Sequence, residues 1–443
     1  MNGLLTGWGN NGKHHQAVGL TYCMDMGFPG RSFVAMSRRQ RDYPLEINMT
    51  LKTGREFLAI PGPTNIPEPV LAAMHRPAIE IYKGELVGIT TSCLADLKKV
   101  FGTEGDTYIY ISNGHGAWEA ALTNTLSRGD KVLVLQSGRF AVGWGEMASM
   151  MGVEVEVLEQ DERKAVDPAA VEARLKAPDA ADIKAVLVVQ IDTASGVLND
   201  VPAIRRAIDA AGHDALFMVD TIASLGTTPF DMDDWGVDVA VTGSQKGLMS
   251  PPGLSFVAAG PKAARAHQTA DLRTRYWDWT ARQGEMHYMK FCGTPPVHGL
   301  FALRKSLDML LEEGLENVFT RHRLLAGAVH KTVEVWSRGG SLGFNIETPE
   351  HRAPSVTPVL VKDPAHVTQL LAYCEHKAGV ILGVGIGEFS GRAFRIAHMG
   401  YVNAPMLLGT LSVIDMGLGA IGIPREKGAV QAAIDHLSDA VGV

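Results

Sequence analysis

The chain has 443 residues, a formal net charge of −7, and a composition that is 46% hydrophobic and 20% charged. That length predicts one large or two medium folding units, and the acidic balance gives no electrostatic case for nucleic acid or a membrane surface as partner. Cys23, Cys93, Cys292 and Cys374 lack CxxC or zinc spacing and read as reduced thiols of a cytoplasmic protein, and apolar runs such as AVLVV (185–189) are too short to span a bilayer.

Residues 1–54 read as an N-terminal extension. They show neither helical nor strand period and no continuous apolar stretch of the secretory kind, and Met36 and Met49 are alternative starts. His14 and His15 are adjacent but have no further ligands beside them, so no metal site is expected.

From residue 108 onward, β-rich runs alternate with helical ones. YIYIS (108–112) leads into the helical HGAWEAALTNTL, KVLVLQ (131–136) precedes a helix over about 143–151, and KAVLVVQ (184–190), ALFMVD (215–220) and VDVAVTG (237–243) follow, with VPAIRRAIDAAG as a helix among them. Strands that are apolar on both sides, joined by helical crossovers, predict an α/β fold with a mainly parallel central sheet covered on both faces. This large unit is placed at 55–314. The texture changes after Gly314: a long amphipathic helix (315–336), strands at 355–361 and 392–400, and helices at 366–379 and 405–416 predict a smaller C-terminal α+β unit over 315–443.

Ligands in such sheets bind beyond the carboxyl ends of the strands, so the residues just past each strand carry the chemistry. After the first strand, Gly114-His115-Gly116 opens a helix whose free N–H groups suit a phosphate, although a plain glycine turn gives the same pattern. Phe140 follows the second strand and could stack on a flat ring or simply fill the core. Thr193 and Ser195 follow the third and offer hydroxyls to a ligand or to a turn. Asp220 ends the fourth, an apolar strand where a carboxylate needs a positive partner. Lys246 ends the next, in the stretch TGSQKGLMSPPG. An isolated lysine there would be a solvated loop residue. With an aspartate on the neighbouring strand end and a phosphate-friendly turn upstream, it matches the needs of pyridoxal 5′-phosphate: an amine to bond the aldehyde and a carboxylate to keep the pyridine nitrogen protonated.

These residues also carry a resemblance. IPGPTNIP (60–67), NGHGAWEAALTN (113–124), DTASGV (192–197), VDTIASLG (219–226), GVDVAVTGSQKGLMSPPGL (236–254), TPPVHGLFAL (294–303) and FRIAHMG (394–400) occur in the order found in the class V, fold-type I aminotransferases. The chain most resembles their serine–glyoxylate and alanine–glyoxylate group, with the aspartate–glyoxylate enzymes close by. The resemblance implies a transaminase that moves an amino group from serine, alanine or aspartate to glyoxylate or a similar 2-oxo acid by a ping-pong reaction. It implies Lys246 as the cofactor lysine and proton shuttle, Asp220 at the pyridine nitrogen, Ile222 under the ring and Phe140 over it. Thr193 would bond the ring hydroxyl, and Gly114, His115 and Gln245 would hold the phosphate with Thr294 from the second subunit of a homodimer or dimer of dimers. Arg395 would clamp the substrate carboxylate, with Gly62, Asn65 and Tyr82 near it. Phe291 stands where the family often has a tyrosine, and EIYKGEL (80–86) replaces an HRSP-like segment, which leaves the amino donor open; Lys83 there could meet a second acidic group or be a surface lysine. Alternatives on the same scaffold are transfer from pyridoxamine, an aminophosphonate or a dicarboxylic amino acid, or a lyase reaction. A desulfurase needs a mobile cysteine, and Cys374 falls in a helical pattern.

Overall fold

The computed structural model describes residues 50–442; the extension over 1–49, including His14, His15 and Cys23, lies outside them. The strands in chain order are β1 (Phe57–Ala59), β2 (Asp106–Tyr110), β3 (Lys131–Leu135), β4 (Glu154–Leu158), β5 (Ile183–Val189), β6 (Ile191–Asp192), β7 (Val197–Leu198), β8 (Leu216–Asp220), β9 (Val239–Gly243), β10 (Ser255–Ala259), β11 (Leu342–Phe344), β12 (Val356–Val361), β13 (Val380–Val384) and β14 (Ala393–Ala397).

Seven of them form one sheet in the order β2-β10-β9-β8-β5-β3-β4. The pairs β3–β4, β3–β5, β5–β8 and β8–β9 are parallel, whereas β10 runs antiparallel to both β9 and β2. One reversed strand thus leaves the carboxyl ends of β2, β3, β5, β8 and β9 on the same edge. Alternation along each strand explains the continuous apolar runs. Leu133, Val186, Val188, Phe217 and Val219 enter the core on one face, while Val132, Val134, Leu187, Met218 and Val241 enter the core on the other. β4 and β10 were not anticipated. EVEVL alternates charge with valine on a half-exposed edge, and SFVAA is short and follows a proline–glycine turn.

The helices that leave this edge start where the sequence offers caps. Asn113 accepts from Gly116 N at 3.3 Å before Gly114–Thr125, and Asp200 accepts from Ala203 N at 2.9 Å before Val201–Ala210.

The second sheet has the order β1-β13-β14-β12-β11, antiparallel except for β1–β13. Helices Leu315–Ser337, Pro364–Ala378, Ala404–Ile421 and Ala429–Val441 pack on it. The boundary drawn at residue 55 put β1 with the large unit. Phe57–Ala59 pairs instead with Val380–Leu382, because a three-residue strand carries too little pattern to reveal its partner. Helix Ala404–Ile421 is also longer and more apolar than the runs considered from sequence, with a mean hydropathy of 1.6 that meets the length and composition of a membrane span. Its Leu407, Leu411, Ile414 and Leu418 stripe is buried in the core under the second sheet.

Candidate active site

At the common strand edge a cleft of about 210 Å³ is lined by Asn113, Gly114, His115, Trp118, Phe140, Val189, Ile191, Thr193, Asp220, Ile222, Ala223, Gln245 and Lys246. Eight residues expected from sequence at the cofactor therefore meet in one place, delivered by the ends of five sheet strands (β2, β3, β5, β8 and β9) or the turns after them.

Asp220 closes β8 at the floor of the cleft and is 2% exposed. Its Oδ1 accepts from Ile222 N at 2.6 Å and its Oδ2 from Trp118 Nε1 at 2.7 Å. Burial nevertheless pushes its pKa up to about 7 against those hydrogen bonds. A carboxylate so disposed gains from a cation placed beside it, as a protonated pyridine nitrogen would be.

Lys246 lies just past β9, and its Nζ donates to the Pro61 carbonyl. Burial draws its pKa down to about 8, helped by the positive charge of Arg395 and opposed by Asp220. The amine can therefore carry or release a proton near neutral pH. Gly62 makes room for it: a Cβ at that position would lie 2.5 Å from Lys246 Nζ, and the glycine has φ +105°.

The turn before helix Gly114–Thr125 presents the N–H groups of its first residues, which have no acceptor within a helix. Gly114 also allows close approach, since a Cβ there would sit 2.4 Å from Ile222 Cδ1. Gln245 brings a buried amide oxygen with no partner among the described residues. Free N–H groups at a helix start suit an anion, to which the Gln245 amide could donate through its NH2, and pyridoxal phosphate fits the whole set: phosphate at this end, ring nitrogen at Asp220, aldehyde at Lys246. Trp118, Phe140 and His115 cluster along one wall, with ring centroids 4.5 Å apart for His115–Trp118 and 6.3 Å for Trp118–Phe140. Ile222 lines the cleft beside Gly114.

Arg395, on β14 of the second sheet, does not line the cleft itself but bonds Thr193, which does. Its Nε donates to Val384 O at 2.7 Å and its Nη1 to Thr193 O at 3.0 Å. Among the described residues no carboxylate lies within ion-pair distance of it, and burial lowers its pKa to about 10, so the guanidinium stays charged and available to an anion.

Three expected residues are placed elsewhere. Asn65 does not face the cleft: its Nδ2 donates to Leu58 O at 2.8 Å and its Oδ1 accepts from Leu58 N at 3.3 Å, so the amide is consumed in bracing the strand before the IPGPTN loop. Tyr82 is 59% exposed and sits edge-on to Tyr288 at 6.2 Å, away from the cleft of its own chain. Thr294 is exposed at the end of a loop and does not line the cleft of its own chain either. Lys83 is exposed and pairs only loosely with Glu80 at 4.0 Å. Cys374 is buried in helix Pro364–Ala378 with its pKa pushed up to about 12 by burial, the reverse of a mobile nucleophilic thiol.

Three contributors were missed. Trp118 reads as a core aromatic, yet it stands one helical turn after Gly114 and so shares the face turned to the strand ends. Asp192, at the end of β6, is a buried carboxylate that the reasoning applied to Asp220 would also have flagged. The Pro61 carbonyl leaves no trace in sequence.

Comparison with known proteins agrees with this geometry. The profile of the aminotransferase class-V family matches residues 57–389. The chain is 38% identical to the serine–glyoxylate aminotransferase of Methylorubrum extorquens, covering 88% of this chain and 98% of that one. It is 37% identical to the L-aspartate–glyoxylate aminotransferase of Paracoccus denitrificans, covering 87% and 96%. Among solved structures, pyridoxamine–pyruvate aminotransferase from Mesorhizobium loti superposes with a TM-score of 0.81 at 26% identity over 88% of this chain and 98% of that one. A buried lysine and aspartate lining one cleft at the carboxyl ends of a mainly parallel sheet, in a chain that matches this family over most of its length, make the protein a member of the class-V aminotransferases, a pyridoxal-phosphate-dependent transaminase.

Proposed function

We propose that the enzyme moves the amino group of a small amino acid of the serine, alanine or aspartate kind to glyoxylate or a similarly small 2-oxo acid, in a ping-pong exchange in the cytoplasm. The observation that carries this reading is the meeting of Lys246 and Asp220 in one cleft of about 210 Å³, with Arg395 bonded to Thr193 on its lining. The names of the relatives at 37–38% identity support glyoxylate as acceptor. Bound pyridoxal phosphate supplies the electron sink and carries the amino group between the two half-reactions. The chain supplies the rest. Asp220 holds the proton on the ring nitrogen. Lys246 would take the Cα proton of the donor and deliver it to the carbon that carried the cofactor's aldehyde, with a pKa of about 8 suited to both directions. Arg395 offers a planar fork to the substrate carboxylate and so fixes which Cα bond faces Lys246.

Thr294 and Tyr82 enter this reading as contributions from a second copy in a homodimer, since both are exposed on their own chain. The superposition with a pyridoxamine-using enzyme gives a second reading, in which the donor lacks a carboxylate. Arg395 serves either reading, because the 2-oxo acid acceptor brings a carboxylate in both; the names of the relatives at 37–38% identity favour the first.

The deciding experiment follows the visible absorbance of the holoenzyme on separate addition of serine, alanine, aspartate and pyridoxamine. Bleaching by one of the amino acids, reversed by glyoxylate, is expected and names the donor. Bleaching by pyridoxamine alone would overturn the proposal.

A further inference from the structure

Asp192 does not line the cleft, yet it touches two separate segments that do, those of Phe140 and Thr193. It is fully buried. Its Oδ2 accepts from Phe140 N at 2.8 Å and Ala141 N at 3.1 Å, the first turn of helix Arg139–Met150. Its Oδ1 accepts from Ala194 N at 2.9 Å, and its carbonyl accepts from Gly196 N at 2.8 Å, which shapes the turn that carries Thr193. The helix follows β3 and the turn follows β5, two neighbouring strands of the large sheet. The helix dipole and three N–H donors offset the cost of burying the charge, although burial still raises the pKa to about 6.

Thr193 then passes the constraint on. Its carbonyl accepts from Arg395 Nη1 at 3.0 Å, and its Oγ1 lies 3.5 Å from the same nitrogen. Asp192 itself makes no ion pair with Arg395, but its charge is the one that favours the guanidinium against burial. Gly138 gives the carboxylate its room, since a Cβ there would lie 2.5 Å from Asp192 Cγ. One carboxylate thereby fixes Phe140, at the wall where the cofactor ring would stack, and the support of Arg395, at the seat of the substrate carboxylate.

We propose that Asp192 is a positioning residue that locks Phe140 and, through Thr193, Arg395 into one frame, so that the plane of the cofactor and the site of the substrate carboxylate are set together. This rests on the reading of the cleft given above, but not on which amino acid is the donor.

The test uses the holoenzyme of Asp192→Asn, whose amide keeps the shape but turns one acceptor into a donor facing a backbone N–H. Two readouts need no turnover. The visible circular dichroism of bound pyridoxal phosphate reports the ring's setting. The dissociation constant of propionate, a carboxylate with no amine, reports the clamp through the cofactor's absorbance. Both are expected to change, the dichroism falling and propionate binding weakening by about tenfold, as for a lost charge-assisted hydrogen bond. In the Phe140→Leu and Arg395→Lys backgrounds the same substitution is expected to do less, because the frame is already broken there. Gly138→Ala, which crowds the Asp192 carboxylate without replacing it, should reproduce both changes and serves if Asp192→Asn does not fold. An unchanged signal, a change in only one of the two, or fully additive double variants would overturn the coupling. Failure of every small amino acid to bleach the wild-type enzyme would overturn the donor assignment and leave this result standing.

Discussion

Trp118 donates its indole proton to Asp220 across 2.7 Å, and both side chains are all but shut off from water. The bond holds one carboxylate oxygen while Ile222 N holds the other, so the charge is aimed without being neutralised. Replacing Trp118 by phenylalanine keeps most of the packing and removes that donor. Cofactor affinity is expected to fall by roughly tenfold, since a hydrogen bond to a buried charge is worth about 1.5–3 kcal/mol. Equilibrium dialysis against pyridoxal phosphate checks it; an unchanged affinity would mean that Ile222 N alone suffices.

The same carboxylate makes the stability of the cofactor-free protein depend on pH. Its pKa of about 7 exceeds the 3.8 of a free aspartate. Between those values the folded protein keeps a proton that the unfolded chain has lost, so this group's contribution to stability falls as pH rises from about 4 to 7 and stays low above. Compared with Asp220→Asn, the wild-type melting temperature should decline across that window. Saturating pyridoxal phosphate should abolish the decline. A difference between the two proteins that is flat with pH would contradict the assignment.

Gly62 is tied to Lys246 by space. Alanine there would place a methyl 2.5 Å from Nζ on a backbone with φ +105°. The lysine then cannot hold its present position. Borohydride reduction followed by mass spectrometry is expected to find Lys246 of the Gly62→Ala variant largely unmodified by the cofactor, while the wild type is labelled.

Asn65 should behave as a structural residue. Asn65→Ala removes both hydrogen bonds to Leu58 and is expected to lower stability by about 1–3 kcal/mol. The KM for the donor should stay within twofold of wild type, roughly the scatter of a neutral change. A large rise in KM with unaltered stability would return the residue to the substrate site.

A shared active site has a signature in mixed subunits. Lys246→Ala and Thr294→Ala are each expected to be impaired as homodimers. Mixed, they should regain activity, because the cleft with an intact Lys246 would then receive Thr294 from its partner. No recovery after verified subunit exchange would place Thr294 outside the site.

The strand-end residues were legible because a doubly covered parallel sheet leaves only one edge for polar chemistry, so Asp220 and Lys246 stand out against apolar runs. Arg395 and Gln245 are proposed for the site through resemblance alone, as nothing in a strand such as AFRIA or a turn such as GSQKG distinguishes a clamp from a structural residue. What sequence hid was of two kinds. The contacts of Trp118 and Asp192 join segments 102 and 52 residues apart, and local pattern carries no information at that distance. The Pro61 carbonyl and the closeness of Gly62 to Lys246 are properties of backbone, which side-chain chemistry does not report. Asn65 misled because an amide in a loop beside the cleft serves a strand as well as a ligand.

The pairing of Phe57–Ala59 with Val380–Leu382 also dictates an order of events on the ribosome. The edge strand of the second sheet emerges more than 300 residues before its partner. At roughly 5–20 residues per second, the interval is on the order of tens of seconds. The large sheet has all of its strands by Ala259 and can assemble in that time. The Pro61–Gly62 segment that receives Lys246 is anchored to the strand that waits. Binding competence therefore waits for the strand at Val380–Val384, however early the sheet that bears the lysine is complete.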